Sequence, residues 1–273
     1  MPSKGFSPWP FFTHEEVEAV SRVLLSNEVN YWTGEECRKF EREFAEYAGS
    51  QYAIAVSNGT TAIDLAFIAL GVGEGDEVIV SSRTFIASVS PIINAGATPI
   101  FLDVDLNSQN INIDQISEVL SERTKAILCV HLAGWPCDMD SIMELANKHN
   151  LFVIEDCAQA HGAKYKGRSV GSISHIGAWS FCQDKIMTTG GEGGMVTTND
   201  RELWSRMWSY KVHGKSWEAV YEREHPPGFR WLHDSFGTNW RMTEMQAAIG
   251  RIQLTRMADW SSKRLTNANA IWS

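Results

Sequence analysis

Lys185 stands in the stretch SFCQDKIMTTGGEGG (180–194), between a short apolar run and a glycine-rich turn. A lysine held there can form a Schiff base with an aldehyde, because the glycines let the backbone come close to a bound group. Most lysines are solvated surface residues, so the position alone decides nothing. Two other stretches add to it. VIEDCAQAHGA (153–163) carries Asp156 behind Glu155 at the end of an apolar run, and SNGTTA (57–62) sets Gly59, Thr60 and Thr61 between a strand-like and a helical pattern. An amine for an aldehyde, an acid for a ring nitrogen and a cradle for a phosphate are together what pyridoxal phosphate requires.

Each piece also has an ordinary reading. The free N–H groups at 57–61, the Thr60 hydroxyl and the positive end of the following helix make an anion site, but a plain N-cap explains the same residues. A carboxylate at 156 can keep a pyridine nitrogen protonated, making the ring an electron sink, or it can simply cap the chain that follows. Gln159, one helical turn on, is placed to donate to the phenolic oxygen of such a ring. Ser180, five residues before Lys185, reaches phosphate if the turn folds back. Phe85 can stack on a ring or fill a core. GGEGG (190–194) resembles a phosphate loop, yet no Gly-Lys-Ser/Thr follows, which sets nucleoside triphosphates aside. His131 and His161 read as hydrogen-bonded structural histidines.

The elements that must position these groups follow from the apolar pattern. A chain of 273 residues holds one large α/β domain or two modest ones. Short apolar runs at 52–57, 77–82, 98–104, 125–131, 151–157, 176–182 and 193–199 read as strands. Most precede an amphipathic segment, such as 61–70 before Gly71 and 85–94 before Gly96. Strands that are apolar throughout belong to a sheet covered on both faces, and their alternation with helices favours parallel pairing. Thr13-His-Glu-Glu16 is a capping box that opens a helix with Val17, Val20, Val23 and Leu24 on one face. A second helix runs from about Glu35 to Tyr47 and closes at Gly49. The interval 211–239, rich in Trp, His, Gly and Pro, has no period and reads as a substrate-binding or subunit-facing loop. Beyond it, 242–257 is helical, followed by a polar helical tail.

Composition narrows the class further. Apolar residues make up 44% and charged residues 21%, ordinary for a globular protein, while a net charge of −9 speaks against a nucleic-acid partner. No run of about 18 apolar residues exists, and the N-terminal stretch lacks the apolar centre of a leader, so a cytoplasmic protein without membrane contact is expected. Five cysteines form no CxxC pair and read as reduced, buried thiols. Eight histidines lack metal-ligand spacing, and no metal is expected.

Taken in order, SNGTTAIDLA, TFIASVSPIINAGATPIFLDVD (84–105), HLAGWPCDMDSI (131–142), VIEDCAQAHGA and NWRMTEMQAAIG (239–250) resemble the DegT/DnrJ/EryC1/StrS aminotransferases. These are pyridoxal-phosphate enzymes that aminate keto sugars carried on nucleotide diphosphates. The likeness runs from about Thr13 to the C-terminus. It implies an α/β fold of fold-type I, a large domain around a mostly parallel seven-stranded sheet. It divides the chain into an N-terminal arm and first helix (1–34), the cofactor-binding domain (35–250) and the start of a connection (251–273) to a C-terminal small domain. That small domain is largely missing, so the chain reads as a piece of a longer protein.

The resemblance also implies roles. Lys185 matches the Schiff-base lysine, Asp156 the partner of the ring nitrogen, and Gln159 the residue near the phenolic oxygen. Thr60, Thr61 and Ser180 match phosphate contacts, with Gly59 in the same turn, and Phe85 the ring-stacking aromatic. Asn239 matches an asparagine that reaches the phosphate of a neighbouring subunit, implying a homodimer with a shared site. The implied activity is transamination of a nucleotide-linked keto-hexose with an amino-acid donor, glutamate in the family, in amino-sugar biosynthesis for a surface polysaccharide or secondary metabolite. A sugar dehydratase on the same scaffold carries a histidine in place of the lysine, and Lys185 argues against it. A catalytically inactive or regulatory relative is the other alternative.

Overall fold

A computed structural model describes residues 8–272. Part of the N-terminal stretch read above for a leader, residues 1–7, lies outside them. The strands are β1 (Tyr52–Val56), β2 (Glu77–Ser81), β3 (Thr98–Leu102), β4 (Thr124–Val130), β5 (Phe152–Asp156), β6 (Lys164–Tyr165), β7 (Arg168–Ser169), β8 (Ile176–Ser180) and β9 (Gly194–Thr198). The helices are α1 (His14–Ser26), α2 (Glu36–Ala48), α3 (Gly59–Leu70), α4 (Ser90–Asn94), α5 (Ile116–Val119), α6 (Met139–His149), α7 (Arg201–Lys211), α8 (Glu244–Thr255) and α9 (Met257–Trp272).

The described residues form a seven-stranded sheet in the order β1-β9-β8-β5-β4-β2-β3, with β6 and β7 in a separate small hairpin. Pairing is parallel from β8 across to β3, while β9 runs antiparallel to both of its neighbours. β1 therefore points the same way as β2, β4, β5 and β8, and the carboxyl ends of all five meet at one edge. That is where an open α/β sheet binds its ligands. The inner strands are mainly apolar because both faces are covered, whereas the edge strand β3 is partly exposed. Along β4, Ala126 and Leu128 join a large core with Phe44, Phe67 and Trp179, while Ile127 and Cys129 join a second core with Met139 and Ile142 of α6.

α1 starts at the capping box expected of it, but its buried face is different. Glu16, Ala19 and Val23 are buried, whereas Val17 and Leu24 are 58% and 51% exposed. Ala19 and Val23 pack on Ala248 of α8. Glu16 follows them inward because Arg256, just past α8, meets its carboxylate at 2.6 Å. The amphipathic segment expected at 85–94 is also broken: a 3-10 turn over Ile86–Ser88 precedes the short α4, and Phe85 lies outside both in extended conformation. Within 211–239 there is one π-helical turn, Glu218–Glu222, and Phe229, Trp231 and Phe236 are exposed.

α7 had no counterpart in the sequence reading, and its last residue anchors a buried network. Lys211, fully buried, donates to Glu41 Oε1 at 2.5 Å and to the Ala55 carbonyl at 3.2 Å. Glu41 also accepts from the Ala55 N–H and the Tyr31 hydroxyl, which in turn accepts from Trp208 Nε1. This ties α2 and α7 to β1, just behind the turn at 57–61. Replacing one member leaves a buried charge without its counter-ion. Lys211→Met should lower unfolding stability by about 3–5 kcal/mol in urea titrations; a loss under about 1 kcal/mol would show that the pair does not hold these elements together.

Candidate active site

β1 leads into α3 through Asn58, whose side chain accepts from the Thr61 N–H, while the Thr61 hydroxyl donates back to the Asn58 carbonyl. Thr61 thus spends its hydroxyl on the cap. Among the described residues the Gly59 and Thr60 N–H groups have no partner, and they sit at the positive end of a helix of 12 residues. Gly59 is there for contact: a Cβ built on it would lie 2.6 Å from the Ser180 Cβ. The close approach puts the end of β8 and the start of α3 side by side, so the Ser180 hydroxyl joins the two free N–H groups and the Thr60 hydroxyl around one anion-sized cradle.

The cradle opens into a cavity of about 760 Å³. Gly59, Thr60, Thr61, Phe85, Asp156, Gln159, Ser180 and Lys185 all line it. Asn239 does not; it is exposed, with its backbone bridged to Val212. The Lys185 side chain is one-fifth exposed and meets Asp184 at 3.1 Å, and its backbone carbonyl accepts from Trp9 Nε1. Asp156 is buried at the end of β5. Its Oδ1 accepts from the Ala158 N–H at 3.1 Å and its Oδ2 from the Ser88 hydroxyl at 2.7 Å. Burial pushes its carboxyl above the ordinary value, and those two donors pull it back.

Gln159 is oriented by its neighbour. Its Oε1 accepts from the Ala133 N–H at 2.7 Å, so its NH₂ group is the end left for a ligand. Ala133 itself sits at φ 52°, a left-handed conformation unusual outside glycine, and this turn brings its N–H round to the glutamine. Phe85 is 70% exposed, which removes the core alternative and leaves a ring face available at the cavity. Thr84 and Ser88, to which the sequence assigned no role, line the same cavity, as do Glu192 of the glycine-rich turn and Cys182, which was expected to be a buried thiol. Ser88 was readable only as one more small polar residue in 84–94.

The residue next to Asp156 has the opposite environment. Glu155 points to the other face of β5 and accepts from His131 Nε2 and the N–H groups of Gly171, Ile173 and Ser174, at 2.8–3.0 Å. Burial alone would raise its carboxyl, yet these donors hold it below the ordinary value. His131 Nδ1 accepts from the Cys137 N–H. His131, Glu155 and Cys157 lie close enough together to suggest a metal cluster, but both imidazole nitrogens and both carboxylate oxygens are already committed. Of the five thiols four are buried, and Cys182 is partly exposed at the cavity.

His161 departs from expectation. It is buried against Trp179 and Phe181, ring centroids 5.5 and 5.8 Å away, and neither nitrogen makes a hydrogen bond of acceptable geometry, although the Ser180 backbone is near. A second cavity, about 650 Å³ between α1, α2 and α8, is lined by paired surface charge, including Arg251 with Glu36 and Glu43, and holds none of these groups.

A lysine amine, a buried carboxylate, an amide donor and free helix N–H groups surround one cavity, the kinds of group that pyridoxal phosphate requires. The family model described as DegT/DnrJ/EryC1/StrS aminotransferase matches residues 11–272. The chain belongs to this family. GDP-perosamine synthase of Escherichia coli O157:H7 is 47% identical over 93% of the chain and 67% of its own length. GDP-perosamine synthase of Caulobacter vibrioides is 45% identical over 83% of the chain and 58% of its own. The X-ray structure of the aminotransferase from Psychrobacter cryohalolentis superposes with a TM-score of 0.95 at 72% identity, covering 97% of this chain and 67% of that one. The chain thus spans about two thirds or less of the relatives it matches. Aminotransferases of this family depend on pyridoxal phosphate, and the cradle, Asp156 and Lys185 fit that group.

The lone imidazole has a measurable consequence. Burial, then the nearby Lys185, push His161 from its ordinary 6.5 down to about 3. The unfolded chain therefore takes up a proton near pH 6.5 that the folded one refuses until about pH 3, and stability falls as pH is lowered through that window. Thermal unfolding should lose more between pH 7.5 and 5 in the wild type than in His161→Phe. His175, depressed in the same direction, is present in both proteins. Equal slopes would mean that the folded protein protonates His161 freely.

Proposed function

We propose that this protein transfers an amino group from an amino acid, with glutamate the first donor to test, to a keto-hexose carried on a nucleotide diphosphate. The observation that carries this is the convergence of Lys185, Asp156 and the α3 cradle on one cavity, in a chain of this family. Bound pyridoxal phosphate supplies an aldehyde and an electron-accepting ring. Gly59, Thr60 and Ser180 would hold its phosphate, Asp156 would keep its ring nitrogen protonated, Gln159 would donate to its phenolic oxygen, and Phe85 would cover a face.

Lys185 Nζ would hold the aldehyde, and its free amine would serve as the proton carrier. It takes the proton from the donor's α-carbon in one half-reaction and reverses the transfer on the sugar in the other, so ping-pong kinetics follow. In the structure its tie to Asp184 is solvent-facing, so little opposes its swing inward. The nucleotide is open among those in the names of related proteins: GDP, dTDP and UDP sugars all occur there.

Incubation with glutamate and GDP-, dTDP- and UDP-linked keto sugars, read by mass spectrometry, should give an aminated sugar from at least one. No amination with any donor or sugar, from a protein that binds the cofactor, would overturn the proposal. Borohydride should fix the cofactor to Lys185. Lys185→Ala should lose that adduct and at least about 10²–10⁴-fold in turnover; an adduct elsewhere or undiminished turnover would remove the lysine from its role.

We further propose a homodimer in which Asn239 serves the site of the second copy, because it is exposed and does not line its own cavity. Lys185→Ala and Asn239→Ala protomers, each inactive alone, should regain part of the activity when mixed. Complementation that never rises above the separate variants would rule out a shared site.

A further inference from the structure

Under the proposed function Asp156 faces a ring nitrogen, and the side chains that hold Asp156 itself form a short chain of hydroxyls. Ser88 Oγ donates to Asp156 Oδ2 at 2.7 Å, and Thr84 Oγ1 lies 2.7 Å from Ser88 Oγ. Ser88 is 1% exposed, so water does not substitute for either contact. An ionised carboxylate only accepts, so Ser88 must spend its single proton on Asp156 and Thr84 must donate to Ser88. Protonation of Asp156 frees Ser88 to accept, and the chain loses its direction. Thr84 also directly precedes Phe85, so the hydroxyl at one end of the chain sits beside the backbone from which the ring-facing aromatic extends.

We propose that Thr84 and Ser88 are a positioning relay that holds the Asp156 carboxylate ionised and aimed into the cavity while fixing the backbone of Phe85. The relay rests on the reading of this cavity as a pyridoxal-phosphate site. Three other titratable groups act on Asp156 through their charge: Lys185 ahead of the glycine-rich loop, His131 after the end of β4, and the Cys157 thiol next in the chain. The Ala158 N–H is backbone and survives any side-chain change. Ser88 is therefore the contact that mutation can remove cleanly, and hydrogen bonds to charged groups are strong enough to matter at the tenfold level.

The test uses Ser88→Ala, Ser88→Cys and Thr84→Val, the last nearly isosteric. In cofactor-free protein, carbon-13 NMR follows the Asp156 carboxyl, its resonance identified by its loss in Asp156→Asn. Ser88→Ala should raise the titration midpoint by about one pH unit, a tenfold change in proton affinity. Ser88→Cys, with its weak S–H donor, should fall between Ser88→Ala and the wild type, and Thr84→Val should shift the midpoint less, in the same direction. Pyridoxal phosphate should bind Ser88→Ala about tenfold more weakly. A midpoint and an affinity in Ser88→Ala that stay within twofold of the wild type would overturn the relay. A wild type that takes up no pyridoxal phosphate would instead overturn the functional reading, whatever the Asp156 titration does.

Discussion

A carboxylate survives burial only if protein donors replace the water it gives up, and the carboxyl edge of this sheet is built around that requirement. β5 ends in two consecutive acids that point to opposite faces. Glu155 is surrounded by four donors and behaves as a fixed anion that fastens 171–174 to the end of β4. Asp156 has two donors, so burial wins and its carboxyl is pushed up. The first is satisfied and structural. The second has half as many donors and lines a cavity, an environment in which a cationic partner would be favoured.

The strand directions turn that local shortage into a site. β1, β2, β4, β5 and β8 deliver their carboxyl ends together, so the free N–H groups of α3, the hydroxyls of Thr84 and Ser88, Asp156 and Ser180 all arrive at one edge. β9 runs the other way, which lets the glycine-rich loop return from β8 and bring Lys185 back over the cavity. The small residues at this crossing are spatial requirements. Any side chain at Gly59 would push Ser180 away, and a cradle built from two strand ends would open.

The strands were legible because all but the edge strand β3 are buried along almost their whole length and read as short, mainly apolar runs. Lys185, Asp156 and the 57–61 turn each had an ordinary reading alone, and it was their occurrence together after apolar runs that marked them. What escaped depends on long-range partners. Glu16 turns inward only because Arg256, 240 residues away, neutralises it, so a pattern counting Val17 and Leu24 chose the wrong face of α1. Trp9 reaches the Lys185 carbonyl across 176 residues, and nothing local marks it. Ser88 needed the distance to Asp156 to stand out. α7 did have a signal, an Asp200 cap before Leu203, Met207 and Trp208, which two tryptophans and a short span obscured. His161 looked like any core histidine, because an absent hydrogen bond leaves no trace in a sequence.

The lysine itself shows why a weak contact suits this site better than a strong one. Lys185 meets Asp184 at 3.1 Å, but that carboxylate is 67% exposed, and exposed pairs contribute about 0–1 kcal/mol. A buried partner such as the one Lys211 has in Glu41 would hold the ammonium with several times that strength. A lysine held that way would lack the freedom that the role proposed for Lys185 requires. The chain contains both arrangements, a lysine locked inside the core behind β1 and another tied loosely at the cavity mouth. Burial of the counter-ion is the physical variable that separates the two.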